Sequence, residues 1–338
     1  MPLPRVAIIG AGIAGLTVAS ALRNRAEVSI IEKSRGVGGR LATRRAGDVS
    51  FDHGAQFFTA RSKAFSNFLQ PWLETGVVQP WNPRVLTLEV GAKPYRRDWF
   101  EPHYVGAPSM TALPKALAAV LAPKLQWEVT SVERMGDHWW LHSIDSKKTG
   151  PFDWIVATAP APQILQWFPP QFSGMDALQQ VRYAPCFALM LGYTQLPELH
   201  WDVARVKSSP IDWIVRGNSR PDQHGQQTML LHSTHTWAHE QQNTNFDNIE
   251  LTLRQALEDI LNQPMPAPLL SLLHRWSYAA TVQTTQLPFE LDAVNSLAAC
   301  GDWSVFSNAD NGGARVEAAF SSANALAEQL LALPEFAA

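Results

Sequence analysis

Three glycines spaced as Gly10-Ala-Gly12-Ile13-Ala14-Gly15, with Glu32 farther on, are the residues of this chain best suited to hold a phosphate ester. Gly10 permits a tight turn, Gly12 lets a pyrophosphate approach the main chain, and Gly15 lets a helix pack closely on a strand. Ile13 and Ala14 open that helix, so their N–H groups and the positive end of its dipole would face the phosphates. Glu32 stands about 20 residues beyond the first glycine, where this pattern places a carboxylate on an adenosine ribose. The spacing therefore predicts a ligand that carries ADP.

Two further groups bear on which dinucleotide it is. After Glu32 the chain reads Lys33-Ser-Arg-Gly-Val-Gly-Gly39-Arg40, then Asp52-His-Gly54-Ala55-Gln56-Phe57. A nicotinamide dehydrogenase would normally run from its second strand through a short loop into another helix. A glycine-rich loop ending in Arg40 instead suits a second approach to phosphates by main chain and cation. The other reading of that loop is a flexible basic turn. Near the far end, Ser296–Cys300 reads as a strand running into Gly301-Asp302, with Arg315-Val316-Glu317 opening a final helix. FAD domains commonly use such a late Gly-Asp to hold the ribityl or pyrophosphate region.

A flavin site needs walls that place a hydride donor and exclude water. Aromatic side chains suit a flat donor, and Trp213, Trp276 and Tyr278 are the candidates, with ordinary sheet core as the alternative for each. Trp276 and Tyr278 stand two apart, so on a strand they face the same side. His232 ends an apolar strand and could bond a substrate or remain a structural histidine. Arg216, Arg220 and Arg275 could hold a substrate phosphate or be solvated. His232, His235 and His239 match no zinc spacing, so no metal is expected. Cys300 is expected to be a small buried residue rather than a covalent flavin attachment.

The elements that must position these groups follow from periodicity. Arg5–Ile9 and Val28–Ile31 read as buried strands, and Trp154–Ala157 as a parallel strand. Residues 62–74 have helical spacing of Phe65, Phe68, Leu69 and Trp72. A helix is expected over Thr111–Leu121 with Ser109 as its cap, and a hairpin over Leu125–Val132 and His138–His142. Strand-like pieces cover Val85–Val90, Asp98–Val105, Cys186–Tyr193, Asp212–Arg216 and Thr228–His232, with a helix at Asn248–Leu261. The fold class expected is α/β, a Rossmann-type FAD-binding domain with a discontinuous mixed-sheet α+β substrate domain. Residues 1–61, 106–164 and 292–338 would form the first, and 62–105 and 165–291 the second.

Composition narrows the classes. Hydrophobic residues at 46% support a large core, and 17% charged residues argue against a disordered chain. A net charge of −3 offers no basic footprint for nucleic acid. Cys186 and Cys300 are too few and too far apart for a disulfide framework. No secretory leader pattern and no apolar run of about 18 residues appears, so no membrane association is expected and a cytoplasmic protein is the default.

The runs Glu32 to Arg40, Asp52 to Gln56, Gly301-Asp302 and Arg315-Val-Glu317 resemble the flavin-containing amine oxidase superfamily. Within it, Ala157–Gln163, Ser209–Trp213, Met229–His232 and His274–Ala279 are similar to renalase and its bacterial relatives. The matching segments spread over nearly the whole chain. The resemblance implies FAD as cofactor, bordered by the residues named above from Gly10 to Phe57 and by Gly301, Asp302, Arg315 and Val316. It also places adenine near the Val129 main chain and moves Trp276 and Tyr278 toward the substrate pocket. The reaction implied is hydride removal from dihydronicotinamide isomers (2- or 6-dihydro-NAD(P)), giving NAD(P)+ while O2 becomes H2O2. Hydride loss restores an aromatic ring, so a general base has little to do. An amine substrate, another small-molecule oxidation or desaturation, and a non-catalytic flavin sensor are the alternatives. Lys207, the one lysine after Lys148, precedes a turn, which disfavours an amine oxidase of the lysine-assisted kind. The chain departs from the family pattern in a longer polar loop, Ser304–Ala314, and in Ala319-Phe-Ser-Ser322, where a Ser-Gly pair is usual.

Overall fold

The computed structural model describes residues 2–98, 101–223, 225–306 and 316–337. Arg5–Ile9 lies in the middle of a five-stranded sheet, between Glu27–Ile31 and Trp154–Ala157, with Leu297–Ala299 and Glu290–Asp292 continuing outward. The first four strands are parallel, and Glu290–Asp292 closes the edge antiparallel to Leu297–Ala299. Alternate side chains point to opposite faces. Val6 and Ile8 meet the helices Ile13–Leu22, Ala112–Ala118 and Val316–Leu331. Ala7 and Ile9 meet the opposite layer, which contains Trp127, Trp139, Leu141 and the helix Ala161–Trp167. Both faces are covered, which is why these strands read as continuous apolar runs.

A seven-stranded sheet stands over this core in the order Leu270–Gln283, Arg182–Gly192, Thr228–Ser233, Ile211–Arg216, Val203–Lys207, Val85–Glu89 and Tyr95–Arg96. One face packs on Ile249, Leu253 and Leu257 of the helix Phe246–Leu261. The other carries Leu230 and Met190, which meet Phe51 from the short strand Val49–Phe51. Together with the parallel sheet, this mixed sheet gives the α/β class expected.

Several local expectations change, and of the expected strand-like piece Asp98–Val105 only Tyr104 and Val105 lie in a strand among the described residues, Tyr104–Gly106. The helix expected from Thr111 is regular over Ala112–Ala118 and is entered without a side-chain cap. Ser109 Oγ lies 3.1 Å from Thr111 Oγ1 instead of capping the helix. The hairpin has a third strand, Lys148–Phe152. Gly150 and Pro151 obscured it, because Pro is tolerated only where a strand needs no donor on that side, and this strand is an edge. The helix Lys63–Glu74, capped by Ser62 Oγ accepting from Phe65 N at 3.2 Å, packs Phe65 and Phe68 on Phe320 of the last helix. Phe65 and Leu69 lie in one buried cluster with Val78 and Val85 as well as with Phe320 and Leu326.

Gly15 serves packing. A Cβ there would land on the Gly10 carbonyl oxygen, which belongs to the main chain and cannot move aside cheaply. Gly15→Ala is expected to lower stability by about 1–3 kcal/mol through overpacking. A shift of the urea midpoint to lower concentration, with its slope unchanged, is the measurement.

Candidate active site

A cavity of about 1150 Å³ opens along the carboxyl ends of the parallel strands. Ile9-Gly10, Ile31-Glu32, Thr158 and Gly301 line it, each at or just beyond a strand's end. Open α/β sheets bind ligands where successive connections leave a strand in opposite directions, and Arg5–Ile9 is that strand here. The volume exceeds the roughly 300–1,000 Å³ of ordinary small-molecule sites, so a dinucleotide and a second molecule have room.

Gly12 is the entry residue of the helix Ile13–Leu22, with no side-chain cap. A Cβ added at Gly12 would meet nothing within 4 Å. The unsatisfied N–H groups of the first turn are therefore left for a ligand. Glu32 is buried, and its oxygens accept from Ala11 N and Ser34 N, both at 2.8 Å. A carboxylate has about four acceptor positions, so capacity remains for a ribose diol. Val129, Trp127 and Glu128 line the same end.

Arg40 and Asp302, from opposite ends of the chain, meet as a bidentate pair at 2.6 and 2.5 Å. Arg40 also donates to the Tyr278 carbonyl at 3.4 Å. That carbonyl is free because the ladder between Arg182–Gly192 and Leu270–Gln283 loses register between Ala184 and Cys186. Pro185 stands there without an N–H to donate, and bulges of this kind re-aim residues beside sites. Pro185's own carbonyl accepts from His235 Nδ1 at 2.8 Å.

Above these groups, the His53 carbonyl accepts two bonds from the upper sheet, from His232 Nε2 at 3.0 Å and Trp276 Nε1 at 2.9 Å. His53, His274 and Trp276 form one ring cluster, with centroids 4.4 to 5.1 Å apart. Burial first, then His274, His232 and Arg44, push His53 down to about 4. Burial, with smaller contributions from His235 and Arg220, pushes His232 down to about 4 against the help of the His53 carbonyl. Both rings are neutral at neutral pH. Since a carbonyl only accepts, His232 carries its proton on Nε2 and presents Nδ1 as an acceptor. Burial pushes the Cys186 thiol, on the same wall, up to about 12.

Gly10, Gly12, Ile13, Ala14, Glu32, Lys33, Gly39, Arg40, Gly54, Ala55, Val129, Gly301, Asp302 and Val316 all line this cavity, as do His232, Trp276 and Tyr278. Gly15, Gln56, Phe57 and Trp213 do not. Gln56 turns into a buried contact with Arg220. Trp213 is the cross-strand neighbour of His232, one strand farther out, where Phe57 meets it at 6.1 Å and Arg205 at 5.3 Å. Arg315 and residues 307–314 of the polar loop lie outside the described residues. None of the three arginines proposed for a substrate phosphate reaches the cavity. Arg216 donates to the Leu199 and Trp201 carbonyls, Arg275 to the Gln242 carbonyl, and Arg220 is buried against Asp52. Cys300 is fully buried. Sequence reasoning passed over His53, His274, Arg44, Trp127, Trp167 and Cys186. His53 lay inside a run already singled out for its glycine and glutamine.

Among the described residues, no group of three or more His, Cys, Asp or Glu is placed to hold a metal ion, and no helix is long and apolar enough to cross a membrane.

Comparison with known proteins adds independent findings. Residues 8–72 match an NAD(P)-binding Rossmann-like domain, and residues 92–331 match the flavin containing amine oxidoreductase family. Renalase of Mus musculus is 24% identical over 298 residues, covering 82% of this chain and 85% of renalase. Putrescine oxidase bound to putrescine superposes with a TM-score of 0.70 at 11% identity, covering 98% of this chain and 100% of the other. Cyclohexylamine oxidase from Brevibacterium oxydans IH-35A gives 0.69 at 14%, covering 97% and 100%.

Two of the depressed histidines, His53 and His232, give a pH dependence with a definite sign. Between their folded values near 4 and the ordinary 6.5, the unfolded chain binds more protons than the folded one. Their contribution to stability is complete above about pH 6.5 and is lost as pH falls toward 4. Thermal melts across that range are expected to show a falling midpoint, and His232→Gln should flatten part of the fall.

Proposed function

Because this chain belongs to the flavin containing amine oxidoreductase family, we propose that it is an FAD-dependent oxidase that removes a hydride from dihydronicotinamide isomers. The cavity fits FAD by its own chemistry: an uncapped helix start at an open glycine, a carboxylate with spare acceptor positions, and a second glycine loop ending in Arg40. FAD bound there would supply a hydride acceptor whose electrons O2 could take up to give H2O2. Glu32 would hold the adenosine ribose, the first-turn N–H groups with Arg40 would hold the pyrophosphate, and Val129 would border the adenine.

The observation that carries the substrate reading is the charge on the wall around His53. Trp276, His274, His53 and His232 offer flat or neutral faces, and Arg44 stands beside them. The carboxylates among the described lining residues are Glu32, Glu128 and Asp302; the first two belong to the adenine end and the third is paired with Arg40. A protonated amine entering there would lose its water without gaining a counter-charge. A dihydropyridine loses little, and it stacks on the rings. His232 Nδ1 accepts an N–H of its carboxamide, and Arg44 attracts its phosphates. No base is required, which suits imidazoles whose values near 4 make them weak bases at neutral pH. Lys207 does not line this cavity and stands against the Tyr95 ring at 5.4 Å. The similarity to renalase supports the same reading, whereas the two amine oxidases of like fold support an amine as the second reading.

The deciding experiment is an anaerobic visible spectrum of the yellow protein mixed with NADH isomers, ordinary NADH, or a simple amine. Bleaching by the isomers alone is expected, and bleaching by the amine alone would replace this reading with the second. Glu32→Ala is expected to weaken FAD retention by about 10- to 100-fold, the size of charge-assisted bonds. The ratio of flavin to protein absorbance after dialysis measures it. Trp276→Ala should slow flavin reduction more than it lowers FAD content, as stopped-flow spectra on the reloaded protein would record.

A further inference from the structure

Arg220 follows the strand Ile211–Arg216 of the upper sheet, yet its guanidinium is 4% exposed and ends inside the lower region. Nη1 donates to Asp52 Oδ2 at 3.1 Å, and Nη2 donates to the Gln56 carbonyl at 2.6 Å and to Gln56 Oε1 at 2.8 Å. The guanidinium lies 5.0 Å from the Trp81 ring, and Trp81 Nε1 donates to the Ser219 carbonyl at 2.9 Å, which holds the Arg220 loop. Asp52 Oδ1 in turn accepts from Thr43 Oγ1 at 2.5 Å and Met110 N at 3.0 Å. Gln56 Nε2 donates back to the Asp52 carbonyl, which ties the two ends of the segment together.

Between those two ends lies His53, whose carbonyl receives both His232 and Trp276. Beside it, Ala55 N donates to the Arg40 carbonyl at 2.8 Å, and a Cβ on Gly54 would strike that same carbonyl. The segment therefore has no slack on the cofactor side. We propose that Arg220 is a positioning residue: by clamping Asp52 and Gln56 it fixes the His53 carbonyl, and with it the placement of His232 and Trp276 over the flavin. This builds on the oxidase reading above, but its first readout does not depend on the substrate. The planar fork matters, because three bonds in one plane set the angle of the segment, and the point charge of a lysine could not reproduce them.

The test uses the FAD-loaded protein labelled with nitrogen-15 histidine. In the wild type, His232 is expected to give the resonances of a neutral ring protonated on Nε2. Arg220→Lys should keep the yellow colour while His232 moves toward values averaged over both tautomers. With a substrate in hand, its limiting rate of flavin reduction should fall about 10- to 100-fold, with KM changing less, as expected for misplacement near 1 Å. Unchanged His232 resonances in a folded Arg220→Lys protein would overturn the proposal, whether or not FAD is retained. Should that variant not fold, Asp52→Asn removes the charge pair and leaves both bonds to Gln56, and the same resonances decide. Failure of every dihydronicotinamide to bleach the wild type would instead overturn the substrate reading and leave the histidine result standing.

Discussion

A guanidinium taken out of water must be met by acceptors, and the way Arg220 is met joins the two halves of this protein. Removing one partner of a buried pair typically costs about 3–5 kcal/mol, yet replacing a whole pair by apolar residues is often neutral. Burial of Arg220 and Asp52 is thus a poor route to stability and a good route to a single geometry. Its acceptors include a main-chain carbonyl, so the bond constrains backbone as well as side chains. The guanidinium adds three directed bonds between the Arg220 loop and the Asp52–Gln56 segment.

The lower half is organised by a different constraint. Parallel strands end their ladders together, so the loops after Ile9, Ile31, Ala157 and Ala299 all open at one edge. Glycine at Gly10 and Gly12 keeps that edge free of side chains, and the helix start behind it leaves donors without partners. Across the gap, Pro185 breaks a ladder of the upper sheet, which releases the Tyr278 carbonyl to Arg40. Two broken hydrogen-bond patterns therefore face each other, and Arg40 with Asp302 spans them.

How legible this was depends on distance along the chain. The dinucleotide end could be read because Gly10, Gly12, Gly15 and Glu32 report one local strand–turn–helix unit whose spacing is set by the unit itself. Arg40 and Asp302 were also legible as types, though their meeting was not, since a pair separated by 262 residues leaves no periodic trace. The cavity wall was half read: Trp276, Tyr278 and His232 line it, while Trp213 stands one strand farther out. Alternation says which face a side chain takes and nothing about which strand lies over the cavity. His53 was missed because its decisive atom is a main-chain oxygen, which every residue has. Arg220 was read as a phosphate ligand because sequence gives the charge of an arginine but not its burial.

In the oxidase reading proposed above, the distribution of charge along the cavity would account for selectivity without a base. The adenine end carries Glu32 and Glu128, and the far wall carries Arg44 beside imidazoles held neutral by burial and by one another. A cation repelled at that wall has no compensating carboxylate among the described residues. Specificity is a difference of affinities, and an unpaired like charge rejects a ligand as effectively as a good contact admits one. If a histidine there were protonated, the repulsion of cations would grow, but His232 would lose the acceptor on Nδ1. Holding both His53 and His232 near 4 keeps that acceptor available over the whole neutral range. In that reading, burial of these rings is what would keep the His232 acceptor open to a neutral amide-bearing ring.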